Sequence, residues 1–295
     1  MNMTLRNDGG KRRLMFGGIM RLFTRFILVL VIVIPWVVAT VAMLGVAAGV
    51  AAQTIGASER YANCMRQVRI DPELGLETAL VWRDDEKSSN DKYAAAHCEA
   101  VALTRLGQYE TAAKRFEALA ALMGPVDGRA GVLKAVRAEI LAQAGQAWFR
   151  ADQIVSARAV QTAAIILDSS NAEIRVDRAM TWAADGAYWD AIDDLNVAIS
   201  MHKDTNQENA DVYALRASAY RLLDVLSLAK QDVEMALFLV PNNAEALLEQ
   251  GIIWRLSGKD GAARKVWSRL VQLHDGTPAA VAARKNLKKL GEEKK

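Results

Sequence analysis

Apolar residues follow two patterns along the chain. From Phe26 to Ala52 they form a continuous run that contains no charged residue. After Ala52 charged residues return, and the sequence is dominated by Ala, Leu, Arg, Glu and Gln, which are strong helix formers. No stretch of this body has the sustained Val, Ile and Thr alternation of strands joined by hairpin turns. The pattern therefore predicts one long apolar helix and, after it, an all-α body.

The apolar run is long enough to cross a membrane. A helix of about 20 residues spans the hydrocarbon core, and residues 26–52 exceed that length. Residues 1–25 contain six arginines and lysines and one aspartate, all on the N-terminal side of the run. Because basic residues stay on the cytoplasmic side, we predict a basic cytoplasmic leader over 1–25, a transmembrane signal anchor over 26–52 and a body outside the cytoplasm.

The end of the apolar run allows a second interpretation. The small residues Val50, Ala51 and Ala52 are typical of a signal-peptidase site, and cleavage there would release the body into the periplasm. Cleaved signal peptides have apolar cores of about 7–15 residues, and this run is longer. The length favours a single-pass anchor in the inner (plasma) membrane, and both interpretations place the body in the periplasm.

The body repeats with a period of 34 residues or slightly more. Five small residues have separations of 45, 34, 38 and 34 residues, and they are Ala112, Ala157, Ala191, Ala229 and Ala263. A second column of small residues lies twelve residues earlier, at Ala100, Gly145, Ala179, Ala217 and Gly251. Large apolar residues come three positions after this second column: Leu103, Trp148, Trp182, Tyr220 and Trp254. Between the two small columns lies a turn-forming column of Gly107, Asp152, Gly186, Asp224 and Gly258.

These columns predict helical hairpins. Small residues on facing sides let two helices approach closely, and the Gly or Asp column tolerates positive φ or caps the second helix. The pattern resembles the tetratricopeptide repeat (TPR), a helix–turn–helix unit of about 34 residues. The resemblance is closest in Ala244–Thr277, which contains LLEQGIIWRLSGKDGAARKVW. It implies an all-α, right-handed solenoid over 93–277 with five repeats, at 93–126, 138–171, 172–205, 210–243 and 244–277.

Two segments flank the predicted repeats. Residues 53–92 are expected to form an N-terminal helical cap, broken where Asp71 caps a helix that starts at Pro72. Residues 278–295 are expected to form a C-terminal capping helix and tail, as solenoids require. The eleven additional residues 127–137 come after the first repeat and lengthen a helix or a loop.

Composition and motifs argue against catalysis, cofactors and nucleic acid. The net charge of +3 comes from the leader, so the body lacks the basic stripe that phosphate binding needs. The sequence contains no HExxH, GxSxG, GxxxxGK or GxGxxG. The three histidines, His97, His202 and His274, fall in separate units without the spacing of an acid–base pair. We therefore predict no enzymatic activity, no cofactor and no metal site.

The chain has two cysteines, Cys64 and Cys98. In an exported body two thiols meet an oxidising compartment, where a pair suits a disulfide. Cys64 lies on the first helix after the apolar run and Cys98 on the first helix of the first repeat, and these helices are neighbours in a stack. We predict a Cys64–Cys98 bridge; the alternative is two buried free thiols.

The resemblance also implies a binding surface. In TPR proteins the first helix of each hairpin lines a concave face that holds peptides. The corresponding residues here are His97, Val101, Arg105, Gln146, Phe149, Arg150, Met180, Ser218, Arg221, Ile252 and Arg255. The Lys and Asn pattern by which some cytosolic TPR adaptors clamp a C-terminal carboxylate is absent from these positions.

Four arginines recur near the ends of the first helices, at Arg105, Arg150, Arg221 and Arg255. One interpretation is a basic ladder for an acidic or carboxylate-bearing partner. The other is four unrelated surface arginines, each paired locally with Glu or Asp. The sequence leaves both open.

The expected function combines the fold with the location. The leading hypothesis is a non-enzymatic, membrane-tethered TPR scaffold that binds other envelope proteins through its concave surface. The alternative is an envelope sensor or binding protein for a small molecule or a cell-wall glycan. An open groove favours the first hypothesis, whereas an aromatic pocket with converging polar groups favours the second.

Overall fold

The computed structural model describes residues 59–85, 89–124, 130–201 and 207–292. The chain divides into two compact units, Met1–Asn63 and Cys64–Lys295. Of the first unit, the structure describes residues 59–63, the start of a helix. The predicted leader over 1–25 and the predicted anchor over 26–52 lie outside the described residues. Within the described ranges, no helix combines the length and the apolar character needed to cross a membrane.

The described residues form thirteen helices and no strands. An N-terminal pair comprises α1 (59–70) and α2 (Pro72–Asp85). Five hairpins come next, with first helices α3 (Ser89–Arg105), α5 (Ala130–Arg150), α7 (Ala172–Ala184), α9 (Gln207–Leu222) and α11 (Ala244–Leu256). Their second helices are α4 (Tyr109–Leu122), α6 (Ile154–Leu167), α8 (Tyr188–Met201), α10 (Leu226–Leu239) and α12 (Asp260–Leu273). The last helix is α13 (Pro278–Glu292).

The helices of the second unit stack in chain order. From α2 to α13, each helix packs against the next one, and short turns make the two helices of each hairpin antiparallel. First helices also touch first helices of neighbouring hairpins, since α5 contacts α7 and α9 contacts α11. The final helix, α13, packs on both α11 and α12. This arrangement confirms the prediction of an all-α stack of helical hairpins.

The turn-forming column has the backbone conformation that its residue types predict. All five residues have positive φ: Gly107 (74°), Asp152 (59°), Gly186 (78°), Asp224 (63°) and Gly258 (73°). This left-handed region costs about 1–2 kcal/mol for ordinary L-residues, and Gly and Asp tolerate it best. Positive φ at each turn lets the chain reverse between the two helices of a hairpin.

Replacing Asp152 by glycine is expected to stabilise the protein. Glycine removes the steric cost of a φ of 59°, so the free energy of unfolding should rise by about 0.5–1 kcal/mol. The neighbouring Gln153 has a φ of −99°, so Gln153→Gly should instead lower stability. Thermal unfolding of the two variants measures both effects, and a loss of stability in Asp152→Gly would contradict this account of the turn.

The two small columns form the contacts between paired helices. All eight alanines of these columns are buried to 1% exposure or less. A methyl group added at Gly251 would overlap the indole ring of Trp267, and one added at Gly145 would overlap the side chain of Gln161. Trp267 is itself fully buried and donates a hydrogen bond from Nε1 to the carbonyl of Leu248 at 3.2 Å. The small residues are therefore required by close approach of the helices, as the sequence predicts.

Side-chain caps set the starts of several helices. Asp71 accepts hydrogen bonds from the backbone amides of Glu73 and Leu74, both at 3.1 Å, which confirms the predicted cap before Pro72. Asn171 caps α7 and Asn243 caps α11 in the same way. Of the additional residues after the first repeat, residues 130–137 lengthen a helix, because α5 begins at Ala130.

The structure contains the predicted disulfide between Cys64 and Cys98, with their Cα atoms 6.4 Å apart. Both residues are fully buried, and the bridge joins α1 to α3. The bond ties the N-terminal helical pair to the first hairpin. The alternative of two free thiols is therefore wrong.

Buried ion pairs, which no pattern in the sequence predicted, join the two helices of three hairpins. Arg178 binds Asp194 through two hydrogen bonds of 2.8 and 2.7 Å. Arg216 and Asp232 form the same pair, again with 2.8 and 2.7 Å. In the first hairpin the charges are exchanged, so that Glu99 accepts from Arg115 at 2.9 and 2.6 Å and from Arg83 at 2.8 Å. Each pair within a hairpin spans sixteen residues and crosses from one helix to the other.

Candidate protein-binding groove

Each first helix has one face of side chains on the same side of the stack, and these helices are α3, α5, α7, α9 and α11. We call the surface formed by these five faces the groove. On α5 the face consists of Glu139, Gln143, Gln146 and Arg150, whose spacing of four, three and four residues keeps them together. Two cavities open along these helices. Most of the predicted binding residues line one or the other of these cavities.

The first cavity, the polar pocket, has a volume of about 540 Å³. Five of the predicted groove residues line it: His97, Val101, Arg105, Gln146 and Arg150. Its other lining residues are Met65, Thr104, Phe116, Glu139, Gln143 and Ala147. Residues of α1, α3, α4 and α5 therefore meet here, next to the disulfide, since Met65 and His97 are the sequence neighbours of Cys64 and Cys98.

A hydrogen-bonded chain fixes one wall of the polar pocket. His97 donates from Nε2 to Oε1 of Gln143 at 2.9 Å, and Gln143 donates from Nε2 to Oε1 of Glu139 at 3.3 Å. The His97 ring also meets the Phe116 ring edge to face at 5.8 Å. Burial lowers the pKa of His97, although the Gln143 hydrogen bond and the charge of Glu139 act in the opposite direction. The imidazole is thus neutral at neutral pH and serves as a hydrogen-bonding group.

Two arginines give the polar pocket its positive charge. Arg105 and Arg150 are both exposed and occupy the same repeat position, five residues after the small column of α3 and α5. The guanidinium of Arg150 lies 5.9 Å from the centroid of the Tyr109 ring, so cation–π attraction holds it at the pocket. Planar guanidinium groups bind carboxylates through paired hydrogen bonds. This pair can therefore hold an acidic group of a ligand.

The second cavity, the apolar pocket, has a volume of about 220 Å³. Three further predicted groove residues, Phe149, Met180 and Ser218, line it together with Leu215 and Leu222. The remaining lining residues are Ala179, Ala183, Ala191, Leu195 and Ala219. Among the described residues of this lining, Ser218 has the one polar side chain. Met180 and Leu222 are 42% and 48% exposed, so apolar surface faces solvent at the mouth of the pocket.

The structure separates the four predicted arginines. Arg221 is held by Glu249, with Nε–Oε2 and Nη2–Oε1 distances of 2.6 and 3.1 Å, and its side chain is 17% exposed. Arg221 and Arg255 lie four residues after their small column, whereas Arg105 and Arg150 lie five residues after it. One residue corresponds to about 100° of helix rotation. Of the two interpretations left open by the sequence, Arg221 therefore fits local pairing with an acid. Arg105 and Arg150 line the polar pocket together, and Arg255 lines neither of the two pockets.

A row of carboxylates runs along the groove and was not found by sequence reasoning. Four acids lie six residues before the small column of their first helix: Glu139, Glu173, Asp211 and Glu245. Asp177 and Glu249 add a second acid one turn further along α7 and α11. Asp177 accepts a hydrogen bond from Nε2 of Gln146 at 2.8 Å. The signal available in the sequence is the periodic recurrence of Asp and Glu at one phase.

Burial and mutual repulsion raise the pKa values of two of these acids. Burial raises the pKa of Asp177 most, and the charges of Glu173 and Glu139 raise it further, although the Gln146 hydrogen bond lowers it. Burial likewise raises the pKa of Glu245, with Asp211 and Glu249 adding to the effect. Burial is the main cause for both acids, and the neighbouring charges that add to it are those of other carboxylates.

Replacing Asp177 by asparagine is expected to stabilise the protein at neutral pH. A carboxylate whose pKa is raised on folding contributes stability that is present below its unfolded pKa and is lost as the pH rises through its folded pKa. Asparagine keeps an acceptor for Gln146 without the charge. The melting temperature of Asp177→Asn should exceed that of the parent protein at neutral pH, and the two should converge below the ordinary aspartate pKa. A lower melting temperature at neutral pH would contradict the assignment.

No group of three His, Cys, Asp or Glu residues with the spacing of a metal site occurs among the described residues. His97 lies in the polar pocket, and His274 comes directly after α12, where its Nε2 is 2.6 Å from the carbonyl oxygen of Asn242. His202 lies outside the described residues. The described residues of the groove thus supply hydrogen-bonding groups, charges and an apolar cavity, with which the groove can bind a ligand.

No protein-family profile matches the chain, and no curated protein matches it. Solved structures do match. PilF of Pseudomonas aeruginosa aligns over 78% of this chain and 99% of its own, with a TM-score of 0.55 and 13% identity. MamA of Desulfovibrio magneticus RS-1 aligns over 64% and 98%, with a TM-score of 0.52 and 16% identity.

Cut9, from the Cut9–Hcn1 hetero-tetramer of the APC/C, aligns over 79% of this chain and 42% of its own, with a TM-score of 0.59 and 14% identity. These neighbours are TPR proteins. At such low identity the likeness shows the fold alone. The hairpins, the turn column and the small columns described above are those of the same repeat. The chain therefore has the fold of the tetratricopeptide repeat proteins.

Proposed function

We propose that this protein is a non-enzymatic, membrane-tethered TPR scaffold that binds a segment of another envelope protein in its groove. The observation that carries the proposal is the continuity of the two pockets along α5. Gln146 and Arg150 line the polar pocket, and Phe149, between them in sequence, lines the apolar pocket. One extended segment of a partner can therefore place an acidic group at Arg105 and Arg150 and an apolar side chain in the apolar pocket.

The relatives in fold support a protein partner. Cut9 is assembled with Hcn1 in the structure that this chain resembles. The use of the groove by a peptide segment is the peptide-in-groove mode of recognition, in which pockets for individual side chains provide specificity.

Two features support a location in the cell envelope. The uncharged run over 26–52, with basic residues on its N-terminal side, is typical of a signal anchor that exports the residues on its C-terminal side. A buried disulfide between Cys64 and Cys98 suits an oxidising compartment such as the periplasm. A tethered scaffold there would hold its partner close to the membrane.

The proposal predicts that the arginine pair is needed for binding and not for folding. Arg105→Ala with Arg150→Ala should reduce capture of partner proteins, crosslinked in membranes and purified with the full-length protein, by about tenfold or more. The melting temperature should change by a few degrees at most, because exposed charges contribute about 0–1 kcal/mol to folding.

The matched control replaces two exposed lysines on second helices, Lys114→Ala with Lys230→Ala, whose side chains are 64% and 53% exposed. This control should capture the same partners as the parent protein. Equal capture by the groove variant and the parent would show that the partner binds elsewhere and would reject the proposal.

The polar pocket favours one second candidate, a binding protein for a small molecule or a glycan. His97, Gln143, Gln146 and Arg150 converge on a volume of about 540 Å³, which is within the range of small-molecule sites. Among its described lining residues, the aromatic rings are those of Phe116 and of His97 beside it. Thermal-shift screening of the full-length protein with sugars and small acids tests this candidate, since a ligand that binds the folded state raises the melting temperature.

A further inference from the structure

We infer that the groove selects a partner segment in which a large apolar residue is flanked by lysine or arginine. The apolar side chain fills the apolar pocket, and its basic neighbours face the carboxylate row defined by Glu139, Glu173, Asp211 and Glu245. This inference rests on the proposed function, because it specifies the chemistry of the segment that the groove binds.

The apolar pocket fixes the position of the apolar residue. Its walls are formed by the large side chains of Phe149, Met180, Leu215 and Leu222. The small alanine side chains of α7 and α8 leave the volume between these walls empty. A volume of about 220 Å³ exceeds that of one large aliphatic or aromatic side chain. Burial of such a side chain contributes about 1.5–3 kcal/mol of transfer free energy.

The charges beside the apolar pocket are negative. Asp177 precedes Met180 by three residues on α7, and Asp211 precedes Leu215 by four residues on α9, so each acid lies one turn from a pocket residue on the same face. Arg221 also borders the pocket, with Nη2 3.2 Å from Oγ of Ser218, but Glu249 neutralises it. Within the described residues, no salt bridge compensates Glu173 or Asp177.

Helix dipoles explain only part of the carboxylate row. Glu173 and Glu245 lie in the first turns of α7 and α11, where the dipole favours an acid. Asp211 is the fifth residue of α9 and Glu139 the tenth of α5, beyond the first turn in which the dipole acts. The raised pKa of Asp177 agrees with a group of like charges, since Glu173 and Glu139 contribute to it.

The distance between the acids and the apolar pocket determines how far the basic residue stands from the apolar one in the segment. One helical turn covers about 5.4 Å, and an extended peptide advances about 3.3 Å per residue. Alternate side chains of an extended segment face the same way. A basic residue two positions from the apolar one therefore meets the carboxylates of α7 and α9, and the long side chain of lysine or arginine covers the remaining distance.

A selection from random displayed peptides tests the inference with the full-length protein as bait. We expect enrichment of peptides in which Leu, Met, Phe or another large apolar residue has lysine or arginine one to three positions away. Binding of a labelled peptide of this type should weaken about tenfold when its basic residues are replaced by glutamate, and also in the variant Glu173→Gln with Asp177→Asn.

The control variant Glu110→Gln with Glu234→Gln removes two exposed acids of second helices and should bind as the parent does. Enrichment of acidic or uncharged sequences, absence of any enrichment, or unchanged binding by the Glu173 and Asp177 variant would overturn the inference. The proposed function is judged separately, by partner capture with the Arg105 and Arg150 variant. A partner that depends on those arginines but binds through an acidic or uncharged segment would overturn the inference alone.

Discussion

Asp194→Ala is expected to lower the free energy of unfolding by about 3 kcal/mol or more. Asp194 is 4% exposed and binds Arg178 through two hydrogen bonds of 2.8 and 2.7 Å. The Arg178 side chain is 18% exposed, so removal of its partner leaves a largely buried guanidinium without its main counter-charge. Chemical denaturation of the variant and the parent protein measures the difference.

An exposed ion pair provides the matched control. Lys114 and Glu110 are 2.6 Å apart with exposures of 64% and 58%, and Glu110→Ala should cost about 0.5 kcal/mol or less. A similar small loss in Asp194→Ala would contradict the view that the buried pairs hold the hairpins together.

The first hairpin suggests a test by exchange of charges. There the acid, Glu99, lies on the first helix and Arg115 on the second, the reverse of Arg178 and Asp194. The double variant Arg178→Glu with Asp194→Arg should therefore be more stable than either single variant. A double variant that loses the sum of the two single losses would show that the orientation of each pair is fixed by its other neighbours.

The Cys64–Cys98 disulfide is expected to contribute about 3–4 kcal/mol, because it closes a loop of 34 residues in the unfolded chain. Cys64→Ala with Cys98→Ala should lower the melting temperature by several degrees. Since repeats contact mainly their neighbours, the loss should fall on α1, α2 and α3, where hydrogen exchange should accelerate while α9 to α13 keep their protection.

Reduction of the parent protein with a dithiol provides the comparison for the disulfide. The reduced parent should melt near the temperature of the double alanine variant, which should itself be insensitive to the reductant. A parent protein that melts at the same temperature before and after reduction would contradict a stabilising role for the bridge.

The hairpins were predictable because the residues that form them recur at one phase. The small residues allow two helices to approach closely, the turn residues allow the chain to reverse, and the large apolar residues fill the interface between the helices. Each of these is a local requirement. Asp152 and Asp224 illustrate this point, since they stand at turn positions occupied elsewhere by glycine and share its positive φ. The predicted cap at Asp71 and the cap found at Asn171 obey local rules as well.

The ion pairs and the arginines of the groove were harder to predict. Arg178 and Asp194 are sixteen residues apart and meet only because the hairpin folds, so their relation is visible once the pairing of helices is known. Arg221 and Arg150 look equivalent in sequence, but a shift of one residue rotates the side chain by about 100° and brings Arg221 to Glu249. Which side chains face the groove therefore depends on the rotational position of each residue on its helix. The approximate repeat boundaries do not specify that position.

The central claim, that the groove holds the partner, is tested most directly by site-specific photo-crosslinking in cells. A photoreactive residue at Met180 reports the apolar pocket, and one at Phe238 reports the exposed side of a second helix, where that residue is 79% exposed. The account predicts a defined crosslinked partner from position 180, none from position 238, and loss of the crosslink in Arg105→Ala with Arg150→Ala. A partner crosslinked from position 238 and not from position 180 would contradict it.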